Sequence, residues 1–269
     1  MSCFRRAVSA ATVLVVCAVA VGLGAFVTAG PAGAAPSIRG IDVSAWQGTV
    51  DWAAVKRSGR MFAFAKATEG QTFVDSTFTR NRLGMAGAGL TLRGFYHFAR
   101  PDRNSAAAEA AHFIRTVGPL GPGEVPVLDL EVAPSQTVGD WAAEWLSLVA
   151  RATGRTPILY SYSSYLHSVP TSKLTGYPLW VASWGANDGA VPASQPQTDR
   201  WSRWTWWQYT SNAVVPGVAG RVDDSLFFGS AAELATFGGG PVAPPPDLVA
   251  ELLKGLTDAL GGLLGAPKP

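Results

Sequence analysis

Val125-Pro126-Val127-Leu128-Asp129-Leu130-Glu131 is an apolar run that ends in two acids. Read as a strand, it turns Asp129 and Glu131 to the same face, because side chains alternate along extended backbone. Their Cα atoms then lie about 7 Å apart. A buried strand ending in two carboxylates is costly unless those acids have partners or a role. Asp-x-Glu alone is a weak signal, and its place after four apolar residues gives it weight.

Similar apolar runs lie on either side: Ile38–Val43, Met61–Lys66, Leu92–Phe98, Pro157–Tyr162, Pro178–Ser183, Arg203–Gln208 and a short one near Arg221–Asp223. Helical stretches fall between the earlier runs. Asp51 is placed to cap Trp52–Ser58, which Gly59 ends. Asn104 or Ser105 opens Ala106–Val117. Asp140 opens Trp141–Thr153, and Gly154 closes it. This alternation predicts an α/β fold, with parallel strands and covering helices. About eight strands in roughly 200 residues suit a closed TIM-like barrel. Segments after the sixth strand are too short or too rich in Pro and Gly for full crossover helices. The barrel is therefore expected to be irregular at its end.

The whole chain has 269 residues, 48% hydrophobic and 15% charged, which fits a globular protein. Its formal charge is +2, and Arg5 and Arg6 account for both units. A nucleic-acid partner is not expected, since such proteins usually carry a strong basic excess. Residues 1–35 read as an export signal: Arg5 and Arg6, the uncharged apolar run Ala7 to Val27, then small residues Ala32-Gly33-Ala34. An uncleaved anchor is the alternative, because the apolar run is long enough to span a membrane. Both cysteines, Cys3 and Cys17, fall in this segment. The body after it would hold no disulfide and no thiolate chemistry. A secreted or wall-associated location follows from the signal.

The body spans 36–237. A linker at 238–246 contains Gly238-Gly239-Gly240-Pro241 and Pro244-Pro245-Pro246. The tail, 247–269, carries Leu248, Leu252, Leu253, Leu256, Leu260, Leu263 and Leu264 at helical spacing. It reads as an amphipathic helix that packs on the body or self-associates. Contact with a membrane or wall surface is the sharper alternative, although its polar face lacks basic residues.

In parallel barrels the reactive residues sit at the C-terminal ends of strands. The predicted strand ends carry Asp42, Lys66 with Glu69, Tyr96 and His97, Asp129 and Glu131, Tyr160 and Tyr162, Trp184, Trp207 and Gln208, and Asp223-Asp224. A glycosidase needs one protonated acid for the leaving oxygen and a second group to assist at the sugar carbon. Close like charges and partial burial keep one carboxyl protonated near neutral pH. Aromatic residues at strand ends suit sugar rings, whose C–H faces pack on indole and phenol. Trp204 and Trp206 are expected on one face of their strand, Trp207 and Tyr209 on the other. The three histidines have no ligand spacing, so neither metal nor other cofactor is expected. There is no Gly-x-Ser-x-Gly elbow for a serine hydrolase.

Gly40-Ile41-Asp42-Val43-Ser44-Ala45-Trp46-Gln47-Gly48, followed by Val50-Asp51-Trp52, resembles the opening of glycoside hydrolase family 25 lysozymes. Phe64-Ala65-Lys66-Ala67-Thr68-Glu69-Gly70, Gly94-Phe95-Tyr96-His97-Phe98, Leu128-Asp129-Leu130-Glu131 and Trp207-Gln208-Tyr209-Thr210 resemble its later motifs, in order. The resemblance covers about Ile38 to Phe228. It implies a (β/α)5(β)3 barrel that hydrolyses the β-1,4 bond between N-acetylmuramic acid and N-acetylglucosamine in bacterial peptidoglycan. By the same resemblance Glu131 is the general acid and Asp129 assists attack. Asp42 and Asp223 are supporting catalytic acids. By the resemblance Tyr96, Tyr160, Tyr162 and Trp207 shape the sugar groove; Trp184 and Lys66 are also expected to bind substrate, although Lys66 with Glu69 equally reads as a salt bridge or loop cap, and a monomer without cofactor or metal is expected. Trp184 stands where the family often has tyrosine. Asp224 stands beside Asp223, and the family pattern, in which the acid follows a residue like Val222, favours Asp223 as the one that faces the cleft.

Retaining, inverting and substrate-assisted routes stay open at this level, the last using the substrate's own N-acetyl group. A chitinase-like barrel and a noncatalytic wall-binding protein are the competing readings. The motifs around Asp42 and Tyr96 argue against the first, and retention of all the motif acids argues against the second.

Overall fold

The computed structural model describes residues 38–238. The expected signal (1–35), nearly all of the linker and the tail helix lie outside the described residues.

Eight strands close into a barrel. They are β1 (Ile38–Val43), β2 (Arg60–Glu69), β4 (Leu92–Phe98), β5 (Glu124–Asp129), β6 (Ile158–Tyr162), β7 (Leu179–Ala182), β8 (Trp206–Ala213) and β9 (Val222–Phe227). A two-residue strand, β3 (Phe73–Val74), folds back on the end of β2. Neighbours from β1 through β8 run parallel, and β9 closes the circle antiparallel to both β8 and β1. The reversal has a simple cause. Only eight residues (214–221) join β8 to β9, and a parallel return needs a crossover of about a dozen or more.

Helices α1 (Trp52–Arg57), α2 (Phe78–Gly87), α3 (Ala106–Val117), α4 (Val138–Thr153) and α5 (Ser163–Ser168) follow the first five barrel strands. No helix separates β7, β8 and β9, in line with the expected irregular end. Helix α2 escaped the sequence reading. Its buried residues are Phe78, Asn81 and Met85, too few apolar positions for a legible stripe. Helix α4 starts earlier than expected: Thr137 occupies the cap position and Asp140 lies in the first turn, paired with Lys173 at 2.8 Å. Strand β8 begins at Trp206 and runs on to Ala213, because β9 supplies a partner that local pattern cannot reveal. A last helix, α6 (Ala231–Phe237), follows β9.

Two apolar layers result. Inside the barrel, Phe62, Phe64, Val125, Val127, Ile158, Trp180, Trp206 and Phe227 interlock. Phe64 lies 4.4 Å from Trp180 and 5.8 Å from Trp206, ring to ring. Helix α6 seals the N-terminal end, with Leu234 buried and Phe237 edge-on to Trp206 at 4.7 Å. The second layer lies between strands and helices and includes Phe95, Phe113, Trp145, Trp207 and Tyr209.

Eight strands leave just enough interior for side chains, and here large rings from β2 take the space that Gly40 and Gly94 leave empty. A Cβ at either glycine would overlap the ring of Phe62 or Phe64. Gly94→Ala should therefore destabilise by about 1–3 kcal/mol, as overpacking does. Gly87→Ala, at an open position in α2, should be neutral or slightly stabilising. Thermal unfolding of the pair checks this, and equal Tm values would remove the packing argument.

Candidate active site

The inward period that fills the barrel with rings changes character one step further along each strand. Asp42 follows Ile38 and Gly40, Tyr96 follows Gly94, Asp129 follows Val127, and Gln208 follows Trp206. These groups meet at the C-terminal mouth in a cleft of about 280 Å³. Asp42, Lys66, Tyr96, Asp129, Glu131, Tyr160, Trp184 and Asp223 all line it. They come from seven different barrel strands or the residues just after them, and only the closed barrel brings them together.

The floor is dry and aromatic. Tyr160 rests on Trp180 at 4.3 Å, and Trp180 Nε1 donates to Ser225 Oγ at 3.1 Å. Asp129 is buried at the end of β5, and one of its oxygens has no hydrogen-bond partner among the described residues. Glu131 sits two residues on and is more open. Burial raises the pKa of Asp129 well above the usual carboxylate range, and the neighbouring Glu131 charge adds to it. Burial raises Glu131 as well, with Lys66 and contact with Asp129 pulling the other way. The two carboxyls are within hydrogen-bonding reach and can share one proton.

A second acid pair faces them. Asp42 and Asp223 are register partners across β1 and β9. Burial, then the Asp223 charge, raises Asp42 well above its ordinary value. Burial holds Asp223 up to about 6. Asp224 points the other way, into an ion pair with Arg60 at 2.5 Å. Strand alternation thus settles which of the two neighbouring acids faces the cleft.

Gln208 ties the site together, whereas the sequence reading placed it at a strand end and in a motif without giving it a role. Its Nε2 donates to Asp42 Oδ2 at 2.9 Å, while its Oε1 accepts from Tyr160 OH at 3.0 Å and Trp184 Nε1 at 2.9 Å. Period-2 spacing from Trp206 was the available signal. Trp180 and Trp46 also line the cleft and were likewise unassigned. Trp46 is 93% exposed, yet its backbone is clamped. Ser44 Oγ accepts from Trp46 N at 3.2 Å, Gln47 Oε1 accepts from Ser44 N at 2.8 Å, and Asp75 Oδ2 accepts from Ala45 N at 2.9 Å.

Two expected groove residues stand elsewhere. Trp207 is on the outer face of β8, buried against Trp204 at 5.8 Å, with its Nε1 donating to Ser183 O at 2.8 Å. Trp204 precedes the strand and joins Trp207 in the outer layer instead of sharing a face with Trp206. Tyr162 stands at the end of β6, edge-on to Tyr165 at 5.5 Å, and does not line the cleft. His97 is also turned away: it is fully buried, with its ring nitrogens 2.8 Å from Thr68 Oγ1 and 2.7 Å from Glu109 Oε2. Lys66 does reach the cleft, over the Phe98 ring at 5.0 Å and paired with Glu69 at 2.7 Å. Among the described residues no His, Cys, Asp and Glu group has the arrangement of a metal site.

The acids make stability depend on pH. Asp223 has an ordinary value of 3.8 and a folded value of about 6. Between these values the folded chain keeps a proton that the unfolded chain has lost. Stability from this group therefore falls as pH rises from about 4 to about 6 and is level above. Asp223→Asn should flatten that part of a Tm–pH curve and raise Tm at pH 7 relative to the unsubstituted protein. A lower Tm at pH 7 would contradict the burial argument.

Comparison with known proteins places this geometry. The family model described as "Glycosyl hydrolases family 25" matches residues 41–218. Lysozyme M1 of Streptomyces globisporus is 37% identical over 226 residues, covering 77% of this chain and 73% of that protein. An N,O-diacetylmuramidase of Arthroderma benhamiae is 30% identical over 222 residues, covering 77% and 88%. A bacterial lysozyme from Streptomyces coelicolor superposes with a TM-score of 0.67 at 34% identity, over 75% of this chain and 96% of that one. With the match spanning most of the barrel, this protein belongs to glycosyl hydrolase family 25 and is a glycoside hydrolase of the lysozyme type.

Proposed function

We propose that the enzyme is exported and cuts the β-1,4 bond between N-acetylmuramic acid and N-acetylglucosamine, with Glu131 as proton donor. The observation that carries this is the meeting of four burial-raised acids in one aromatic-lined cleft at the barrel mouth. The muramidase name of a relative at 30% identity supports the bond. Export rests on the sequence of residues 1–35, and a wall substrate outside the cell agrees with it.

The acid pair supports a division of labour. Two carboxyls in hydrogen-bonding reach of each other cannot flank a glycosidic bond from opposite sides, as a direct double displacement at roughly 5–5.5 Å requires. They can act from one side. Asp129, deeper and drier, holds the shared proton more firmly while the cleft is empty. An acetamido N–H of the substrate that donates to Asp129 favours its anion, and the proton passes to Glu131. Glu131 then protonates the leaving oxygen, and the acetamido oxygen attacks the anomeric carbon. Water later opens the cyclic intermediate and gives net retention. The Asp42–Asp223 pair offers negative charge where positive charge develops on the sugar. Tyr96 and Tyr160 stay neutral, since burial raises both phenols well above their usual range. Trp46, an exposed indole on a clamped backbone, is a platform for a sugar face.

Purified peptidoglycan with fragment ends read by mass spectrometry tests the reading. Ends with reducing N-acetylmuramic acid are expected from the unsubstituted protein and none from Glu131→Gln, which should still bind wall. Asp129→Asn should lose about 10²-fold or more in kcat. Near-normal turnover in Glu131→Gln would overturn the acid assignment, and net inversion of product anomers by NMR would overturn the substrate-assisted route.

Trp46→Ala should raise KM about 10-fold, the worth of one aromatic face, at unchanged Tm because its indole is exposed. An unchanged KM would remove the platform role.

A further inference from the structure

A groove of about 600 Å³ opens beside the cleft. Trp184 lines the cleft, and its chain neighbours Ser183 and Gly185 line the groove. The cleft itself, at about 280 Å³, is near the lower bound of small-molecule sites, roughly 300–1,000 Å³. It has room for little beyond the sugars at the cut. A polymer held there must run on over neighbouring surface.

The groove is built rather than a gap between loose loops. Ser163 Oγ donates to Gln197 O at 3.0 Å across it. The long β7–β8 connection is pinned to β8 through Asn187. Asn187 Oδ1 accepts from Thr210 Oγ1 at 2.8 Å and Ser211 N at 2.9 Å, and its Nδ2 donates to Ser211 Oγ at 2.9 Å. Trp184 is held from the cleft side by Gln208 at 2.9 Å. Gln195 Oε1 accepts from Trp204 Nε1 at 3.1 Å, and its amide nitrogen makes no hydrogen bond among the described residues. The Gln197 amide and the Ser164 and Ser194 hydroxyls make no hydrogen bond among the described residues.

No Asp, Glu, Lys or Arg lines the groove, and its one titratable side chain, His167, has Nδ1 2.7 Å from Ser163 O. A peptide stem brings carboxylates and ammonium groups, which lose hydration without a paired charge in return. A glycan brings mainly hydroxyl and acetamido groups, which match amides and hydroxyls one for one, and its one charge per disaccharide, the lactyl carboxylate of peptide-free muramic acid, needs only to face solvent. We propose that this groove is a second saccharide site, which holds N-acetylhexosamine units of the same glycan strand beyond those at the cut bond. The proposal rests on the muramidase reading for its substrate, and makes the enzyme sensitive to glycan length.

Peptide-free glycan strands of graded length provide the test. Ser164→Trp fills the groove from an exposed position, and Gln197→Ala removes a donor and an acceptor. With strands of eight or more sugars, both should raise KM about 5- to 20-fold, the worth of one or two neutral hydrogen bonds. Their kcat, and their rates on tetrasaccharides, should not change. An unchanged KM on long strands would overturn the proposal. So would a loss seen only on peptide-bearing wall, which would assign the groove to the stem peptide. If the unsubstituted protein cuts no strand, the muramidase reading fails by itself. Calorimetric titration of the peptide-free strands still decides the groove: weaker binding in Ser164→Trp upholds it, and equal binding refutes it.

Discussion

Everything at the mouth of this barrel depends on how its interior is filled. Eight strands enclose a space filled by a column of apolar side chains, with Phe62, Phe64, Trp180 and Trp206 among the largest. Gly40 and Gly94 stand opposite because the rings leave no place for a Cβ. The packed column forms a low-dielectric floor immediately below Asp42, Asp129 and Tyr160. Carboxyls on that floor lose hydration, and their protons are held to higher pH than in water. The same side-chain alternation that builds the core therefore also prepares the acids.

The two acid pairs are arranged so that like charges confront each other in each. Such an arrangement is unfavourable for folding and useful for chemistry, because a proton shared by two buried groups is easily redirected by what binds beside them. Gln208 keeps the arrangement from collapsing. One amide donates to Asp42 and accepts from Tyr160 and Trp184, which links an acid pair, the floor and the rim. On the other side, Lys66 between the Phe73 and Phe98 rings supplies the nearest positive charge to Asp129 and Glu131.

The rim is organised differently from the floor. Trp46 is an exposed side chain on a clamped backbone, and the exposed Trp184 ring is held by its own Nε1, which donates to Gln208 Oε1. The groove beside Trp184 continues that surface. The acids and Lys66 are thus gathered in the reacting cleft, while the groove presents mainly amides and hydroxyls.

The sequence by itself determined the α/β alternation, seven of the eight barrel strands to within a few residues, and the placement of Asp42, Asp129 and Glu131 at strand ends. These features are local: period-2 apolar runs, caps and glycine stops are written within a few residues. The match of ordered motifs also led to the family without structure. Only the tertiary structure decided the rest. It reversed β9, whose direction follows from the length of a connection and a partner nearly 190 residues away in the chain. It turned Trp207 outward and Gln208 inward, a difference of one residue that a slipped strand boundary conceals. It separated Asp223 from Asp224, and it revealed Trp46, whose role depends on standing over a cleft assembled from distant strands. Burial and shared protons are properties of groups brought together in space, and a linear pattern holds no record of them until the barrel closes.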